Sequence, residues 1–314
     1  MLKEKIAIIV PLYNDWDSYD CLLEDILKFK KEHTDILIDN FVIDDSSSVI
    51  PDVYNEEIKE VLRLNTNVGH QRAISVGLSY VVDNYDYDAI IVMDADGEDK
   101  VLDIDLFLKA YRNDRTQIIF AERGKRHEGL RFRLFYFIYK IIFHALTGTK
   151  INFGNFCIIP INIGKKLVHV SEIWNHFACG VIRSKNKYET VIIERGVRYK
   201  GKSKMNFTSL IIHGLSAVSV FMDKVAVRLI IIMGLGVFIA FLGIVVVSFF
   251  KLFTDMAIPG WATSAVIGFI IILLQSVLII LFIAFMVLNN KNQKLIIPIR
   301  DYKEFLGDII KVGV

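Results

Sequence analysis

The stretch Ala89-Ile90-Ile91-Val92-Met93-Asp94-Ala95-Asp96-Gly97-Glu98-Asp99 decides the reading of this chain. An apolar run this short, broken at once by acids and a glycine, reads as a buried strand ending in a turn. Two earlier runs end in the same way. Lys5–Val10 passes into Pro11-Leu12-Tyr13-Asn14-Asp15, and Ile36–Ile43 passes into Asp44-Asp45-Ser46-Ser47-Ser48. Val61–Leu64, Gln117–Ala121 and Thr190–Ile193 also read as strands, and Tyr19–Lys31, Gln71–Val82 and Leu102–Arg112 as amphipathic helices. Strands alternating with helices predict an α/β sheet with crossover helices. Ligands of such sheets bind beyond the carboxyl ends of the strands, where these polar residues lie.

Carboxylates crowded at a strand end repel one another unless a cation or a ligand's donors lie between them. Asp94 and Asp96 are two residues apart, flanked by small Ala95 and Gly97, so a turn can aim both at one hard divalent cation. Mg²⁺ and Mn²⁺ take such oxygen ligands and also bind diphosphates. The same spacing occurs in plain solvated turns, so the pair alone decides little. No G-x-G-x-x-G or P-loop is present, which disfavours a dinucleotide oxidoreductase or a Walker-type NTPase.

The hydrophobic fraction of 53% is high, and the excess lies toward the C-terminus. Leu229–Phe250 and Ala262–Leu288 contain no charged residue. Each exceeds the roughly 20 residues that cross a bilayer core as a helix. The short link Lys251–Trp261 carries Pro259-Gly260, which predicts an antiparallel hairpin with Trp261 at the interface. Lys224 and Arg228 precede the pair, and Lys291, Lys294, Arg300 and Lys303 follow it, so the positive-inside bias puts both termini in the cytoplasm. Gln275, the one strongly polar side chain in the second span, can bond across the hairpin or to another protomer, which admits a homo-oligomer. The N-terminal apolar run is too short for a signal peptide. Cys21, Cys157 and Cys179 show no paired spacing and read as buried thiols. A net charge of +2 gives no field for nucleic acid.

In motif order the chain resembles the family 2 glycosyltransferases of GT-A fold, and more narrowly their polyprenyl-phosphate branch. The residues that carry this are Val10-Pro11-Leu12-Tyr13-Asn14, Asp44-Asp45-Ser46-Ser47, Asn67-Val68-Gly69-His70-Gln71-Arg72-Ala73 with Gly77, Asp94–Asp99, Arg123, and Arg198-Tyr199-Lys200-Gly201-Lys202-Ser203-Lys204. The last, R-x-x-G-x-S-K, is the most specific. The resemblance implies a GT-A (Rossmann-like) domain over 1–205, with an interfacial helix near 130–146. A juxtamembrane amphipathic helix at 206–228, spans at 229–250 and 262–288, and a cytoplasmic tail at 289–314 would follow.

It further implies that Pro11, Tyr13, Asn14, Asp44, Asp45 and Gln71 bind a UDP- or GDP-sugar with Asp94. Asp94, Asp96 and Glu98 would hold Mg²⁺ or Mn²⁺. Asp96, Arg198, Ser203 and Lys204 would work at the diphosphate, with Arg123 and Arg131 toward the phosphate of a polyprenyl acceptor drawn from the bilayer. A bacterial inner membrane fits this set. His70 and Gln71 read equally well as caps of the following helix. Relatives commonly carry G-D-F-R where this chain has Gly154-Asn155-Phe156-Cys157, so an acid and an arginine are missing. A lipid phosphate is already ionised and needs little help from a base, so Asn155 suits a phosphate acceptor better than a hydroxyl. Processive polysaccharide synthases and ceramide-type transferases usually carry Q-x-x-R-W, and none of Trp16, Trp174 and Trp261 lies in one. The intact acidic and basic motifs argue against a non-catalytic scaffold.

Overall fold

The computed structural model describes residues 3–124, 130–201, 207–254 and 260–312. They fall into two compact units: Met1–Arg133 with Ile151–Val220 and Leu295–Val314, and Leu134–Lys150 with Phe221–Lys294.

The first unit is built on an eight-stranded sheet. Its strands and helices are β1 (Glu4–Leu12), α1 (Trp16–Glu32), β2 (Ile36–Asp44), β3 (Ile58–Leu64), α2 (His70–Asn84), β4 (Ala89–Val92), α3 (Ile104–Asn113) and β5 (Ile118–Arg123). After α4 (Leu130–Thr147) come β6 (Phe153–Pro160), α5 (Ile161–Leu167), α6 (Phe177–Arg183), β7 (Tyr188–Ile193) and α7 (Phe207–Ser219). The spatial order begins β7-β5-β6-β4-β1-β2-β3. β1 pairs parallel with β2 and with β4, as crossover helices require. β6 runs antiparallel between β4 and β5. The expected strands are therefore present, with a reversed one inserted among them.

Both faces of the sheet are buried, so the central strands are apolar on both sides. Ile6, Ile8 and Val10 pack with α1 and α3, while Ala7 and Ile9 face α2. Gly77 lets α2 approach the sheet: a Cβ there would sit 2.7 Å from Ile43 Cγ1 and 2.8 Å from Ile9 Cγ2. Gly77→Ala is expected to cost about 1–3 kcal/mol through overpacking, read as a lower urea midpoint with an unchanged slope.

The second unit carries α8 (Met222–Phe253) and α9 (Trp261–Asn292), both long and apolar enough to cross a membrane. They pack on each other, and Gly243 leaves room for the Phe269 ring, which a Cβ would meet at 2.5 Å. Their outward side chains stay exposed, Phe238 and Leu274 among them. Ser276 is buried, whereas Gln275 lies on the exposed side, so the expected bond across the hairpin is not made. Arg228 donates to the carbonyls of His144 and Ala145 at the C-terminus of α4, where the partial negative charge of the helix end favours a cation.

Two expected boundaries change. The single juxtamembrane helix at 206–228 is two: α7 ends at Ser219, and α8 begins at Met222 and continues into the apolar span. The tail at 289–314 is no free extension. After α10 (Pro298–Asp301) it forms β8 (Leu306–Lys311), which pairs antiparallel with β3 and completes the sheet. Tyr302 is buried there, its hydroxyl donating to Asp83 at 2.7 Å. Alternating hydrophobicity over so few residues gives β8 almost no local signal, and its partner lies far away in sequence.

Candidate active site

The ends of β1, β2 and β4 and the start of α2 meet at one edge of the sheet. A cleft of about 280 Å³ opens there, lined by Pro11, Leu12, Tyr13, Asp45, Asn67, Gly69, His70 and Ala73. Pro11 and Tyr13 are among the lining residues, and Tyr13 is 45% exposed. Of the other nucleotide-site residues, Asp45 also lines it. Asp45 accepts from the backbone N–H groups of Val68 (2.7 Å) and Gly69 (2.9 Å), fixing the loop into α2. Burial raises its pKa, and those two donors pull it down. Asp44 is fully buried, with Oδ1 accepting from Ser47 N at 2.9 Å. Asn14, at φ +49°, accepts from Ser48 N (2.8 Å) and Val49 N (3.2 Å), tying the two strand-end loops together. Gln71 lies outside the cleft lining: its Oε1 accepts from Phe177 N (2.6 Å) at the start of α6. Neither His70 nor Gln71 caps α2, whose N-cap position is Gly69 and which has no side-chain cap.

The acidic turn follows β4. Gly97 takes φ +87°, a conformation glycine reaches without strain, and a Cβ there would stand 2.6 Å from the Tyr199 ring. The segment after β7 lies directly on this turn. Gly196 N donates to Glu98 O (2.9 Å) and Tyr199 N to Asp96 O (2.8 Å), while Tyr199 OH donates to Asp25 on α1 (2.7 Å). Arg198 pairs with Asp96 Oδ2 at 2.5 Å, and Arg195 with Glu98 Oε2 at 2.5 Å. Burial, then Asp94, raises the Asp96 pKa; Glu98 N–H and Arg198 oppose this.

The two guanidinium groups occupy positions where cationic charge is favoured. Asp94 and Asp96 supply hard oxygen donors at one turn, the donor type that a divalent cation takes. Among the described residues no group of three His, Cys, Asp or Glu is arranged to hold a metal, so Glu98 does not complete a three-residue set with Asp94 and Asp96; Glu98 and Asp96 are each paired with an arginine.

His70 connects the cleft to the turn. Its Nε2 lies 3.3 Å from Asp94 Oδ1 and 3.1 Å from Asn155 Nδ2. Desolvation lowers the imidazole pKa, but Asp94, Asp99 and Asp45 together outweigh it, and the net shift is upward. Ser203 and Lys204 lie outside the described residues, as do the side chains of Arg123 and Arg131. Sequence reasoning passed over Arg195 and left His70 open. The available signal for Arg195 was a second arginine directly after a strand end.

A model of glycosyl transferase family 2 matches residues 7–168, more than half of the chain. The chain belongs to glycosyl transferase family 2. This family 2 enzyme is 27% identical over 271 residues to the Bacillus subtilis protein carrying the name glycosyltransferase CsbB, covering 84% of this chain and 80% of that one. It is 32% identical over 98 residues, 29% of either chain, to an undecaprenyl-phosphate 4-deoxy-4-formamido-L-arabinose transferase of Proteus mirabilis. Among solved structures, glucosyl-3-phosphoglycerate synthase of Mycobacterium tuberculosis, in complex with Mn²⁺, UDP-glucose and phosphoglyceric acid, superposes with a TM-score of 0.51 at 12% identity, covering 71% of this chain and 80% of that one. The GT-A fold of this glycosyltransferase is thereby established.

Proposed function

We propose that this glycosyltransferase moves a sugar from a UDP- or GDP-sugar to a polyprenyl phosphate in the membrane. The observation that carries this reading is the path of the chain. It leaves the sheet domain after α7, runs through two apolar helices, and returns to the same sheet as β8. The helical pair is thus an insertion within the catalytic unit's own chain, as expected of an enzyme whose acceptor comes from the bilayer. Both ends of the pair then belong to one side, and the basic residues flanking them favour the cytoplasm. The Proteus mirabilis relative, named for undecaprenyl phosphate, supports the acceptor class, and the Mycobacterium tuberculosis enzyme supports a UDP-sugar with Mn²⁺.

The nucleoside would enter the cleft between Tyr13 and the Asp45-held loop, with its diphosphate toward Asp94 and Asp96. A bound divalent ion would stabilise the charge growing on the leaving diphosphate. Arg195 and Arg198, paired with Glu98 and Asp96 in this structure, would supply preorganised cationic donors to that charge. An oxygen of the acceptor phosphate attacks the anomeric carbon, the bond to the diphosphate breaks, and the nucleoside diphosphate leaves with the electron pair. Family resemblance favours inversion.

A donor screen with undecaprenyl or dolichyl phosphate in detergent, read as glycolipid, tests this; transfer only to a non-phosphorylated acceptor would overturn it. Asn155→Asp gives a second check. Because the nucleophile is already ionised, turnover with a polyprenyl phosphate is expected to stay within about tenfold of wild type. A rise of several orders of magnitude would mean that a base had been missing.

A further inference from the structure

Two histidines of the sheet domain, His176 and His213, pack on each other and have no part in the transfer described above; the residue after His176, Phe177, bonds through its backbone N–H to Gln71, next to His70. His176 precedes α6, and its Nδ1 accepts from Cys179 N at 3.3 Å. That use of Nδ1 places the proton on Nε2 and leaves an N–H donor on the far side of the ring. The ring packs on His213 of α7, with centroids 4.5 Å apart. Burial, then the neighbouring His213, pushes the His176 pKa down to about 3, and burial lowers that of His213 as well. The charge of His70 bears on both rings, and His70 itself contacts Asp94 and Asn155. Ile211, Ile212 and Leu215 of α7 are exposed, while His213 is partly buried on the opposite side of the helix.

We propose that His176 and His213 form the subsite for the phosphomonoester of the acceptor, joined to the acidic turn through His70 and Asn155. This rests on the polyprenyl-phosphate reading above. The chemistry of the pair suits a nucleophile. A phosphate oxygen that must attack carbon loses basicity when a fixed cation pairs with it. Neutral imidazole N–H groups orient the same oxygen anions by hydrogen bonds and leave their charge largely available. Burial holds His176 in that neutral form, and its bond to Cys179 N fixes the tautomer that donates.

The test uses the full chain in detergent micelles, titrated with farnesyl phosphate and separately with inorganic phosphate, and followed by ³¹P NMR. His213→Ala removes the ring, and His213→Phe keeps its packing while removing only the nitrogens. Both variants are expected to bind farnesyl phosphate about tenfold more weakly and to raise the acceptor KM by a similar factor. The donor KM and the Mn²⁺-dependent affinity for nucleoside diphosphate should not move. Inorganic phosphate should bind more weakly than farnesyl phosphate and lose affinity in the same variants; binding insensitive to both variants would overturn the proposal. Wild-type farnesyl phosphate affinity in His213→Phe would also overturn it, because the ring would then serve packing alone. If the wild type transfers sugar to polyprenyl phosphate and His213→Phe does so with an unchanged acceptor KM, the subsite fails and the function stands. If the wild type makes no such glycolipid, yet His213→Phe loses farnesyl phosphate binding, the subsite stands and the acceptor reading fails.

Discussion

Asp96→Asn is expected to lower kcat/KM by about two to three orders of magnitude while leaving the fold intact. The substitution is close to isosteric and keeps an oxygen to accept the Glu98 N–H, which bonds Asp96 Oδ1 at 2.9 Å. What disappears is the negative charge that holds Arg198 at 2.5 Å and that, in the proposed reaction, would seat a divalent cation together with Asp94. Both losses fall on the same event, the departure of a diphosphate. Preorganised charge of this kind is worth far more in the transition state than in the ground state. The checks are steady-state kinetics at saturating Mn²⁺ and metal-dependent binding of the nucleoside diphosphate. If the ion pair with Arg198 were only structural, the variant would lose melting temperature and keep its kcat/KM.

The second large effect concerns stability. Ending the chain after Asn292 should prevent the sheet domain from folding stably, and Tyr302→Ala should cost about 3–5 kcal/mol. Tyr302 is almost fully buried, packs edge-on against Tyr80 at 6.3 Å between centroids, and donates to Asp83. Removing the last segment also strips β8 from β3. An apolar strand with an unpaired edge is then exposed, and aggregation follows from such edges. Chemical denaturation of Tyr302→Ala and solubility of the shortened chain are the measurements. A tail without a structural role would leave both unchanged.

What local sequence conveys here is the part of the fold built by local rules. The strands ending at Leu12, Asp44 and Val92 announce themselves by apolar runs that stop at acids or turn residues, and α8 and α9 by runs without charge. β6 and β8 do not. Their pairing depends on partners brought near only by the finished sheet, and their direction has no local signature.

The site divides in the same way. Pro11, Tyr13, Asp94 and Asp96 stand where their strand ends suggest. Asp44, Asn14 and Gln71 carry side chains suited to a ligand, and in this structure each accepts from a backbone N–H, of Ser47, Ser48 and Phe177 respectively. Whether a polar side chain faces a ligand or a neighbouring backbone group is settled by tertiary contacts, which residue type and spacing do not encode. The same holds for Glu98, which matches a ligand position in sequence and meets Arg195 in the fold.

The most direct test of the account is a paired acceptor measurement on the purified full chain. One labelled nucleotide-sugar, the best of the UDP- and GDP-sugars, is supplied with Mn²⁺ and either undecaprenyl phosphate or undecaprenol. Label is expected in glycolipid with the phosphate alone, lost on chelation and restored by added metal. Equal transfer to undecaprenol, or transfer to undecaprenyl phosphate that survives both chelation and Asp96→Asn, would contradict it.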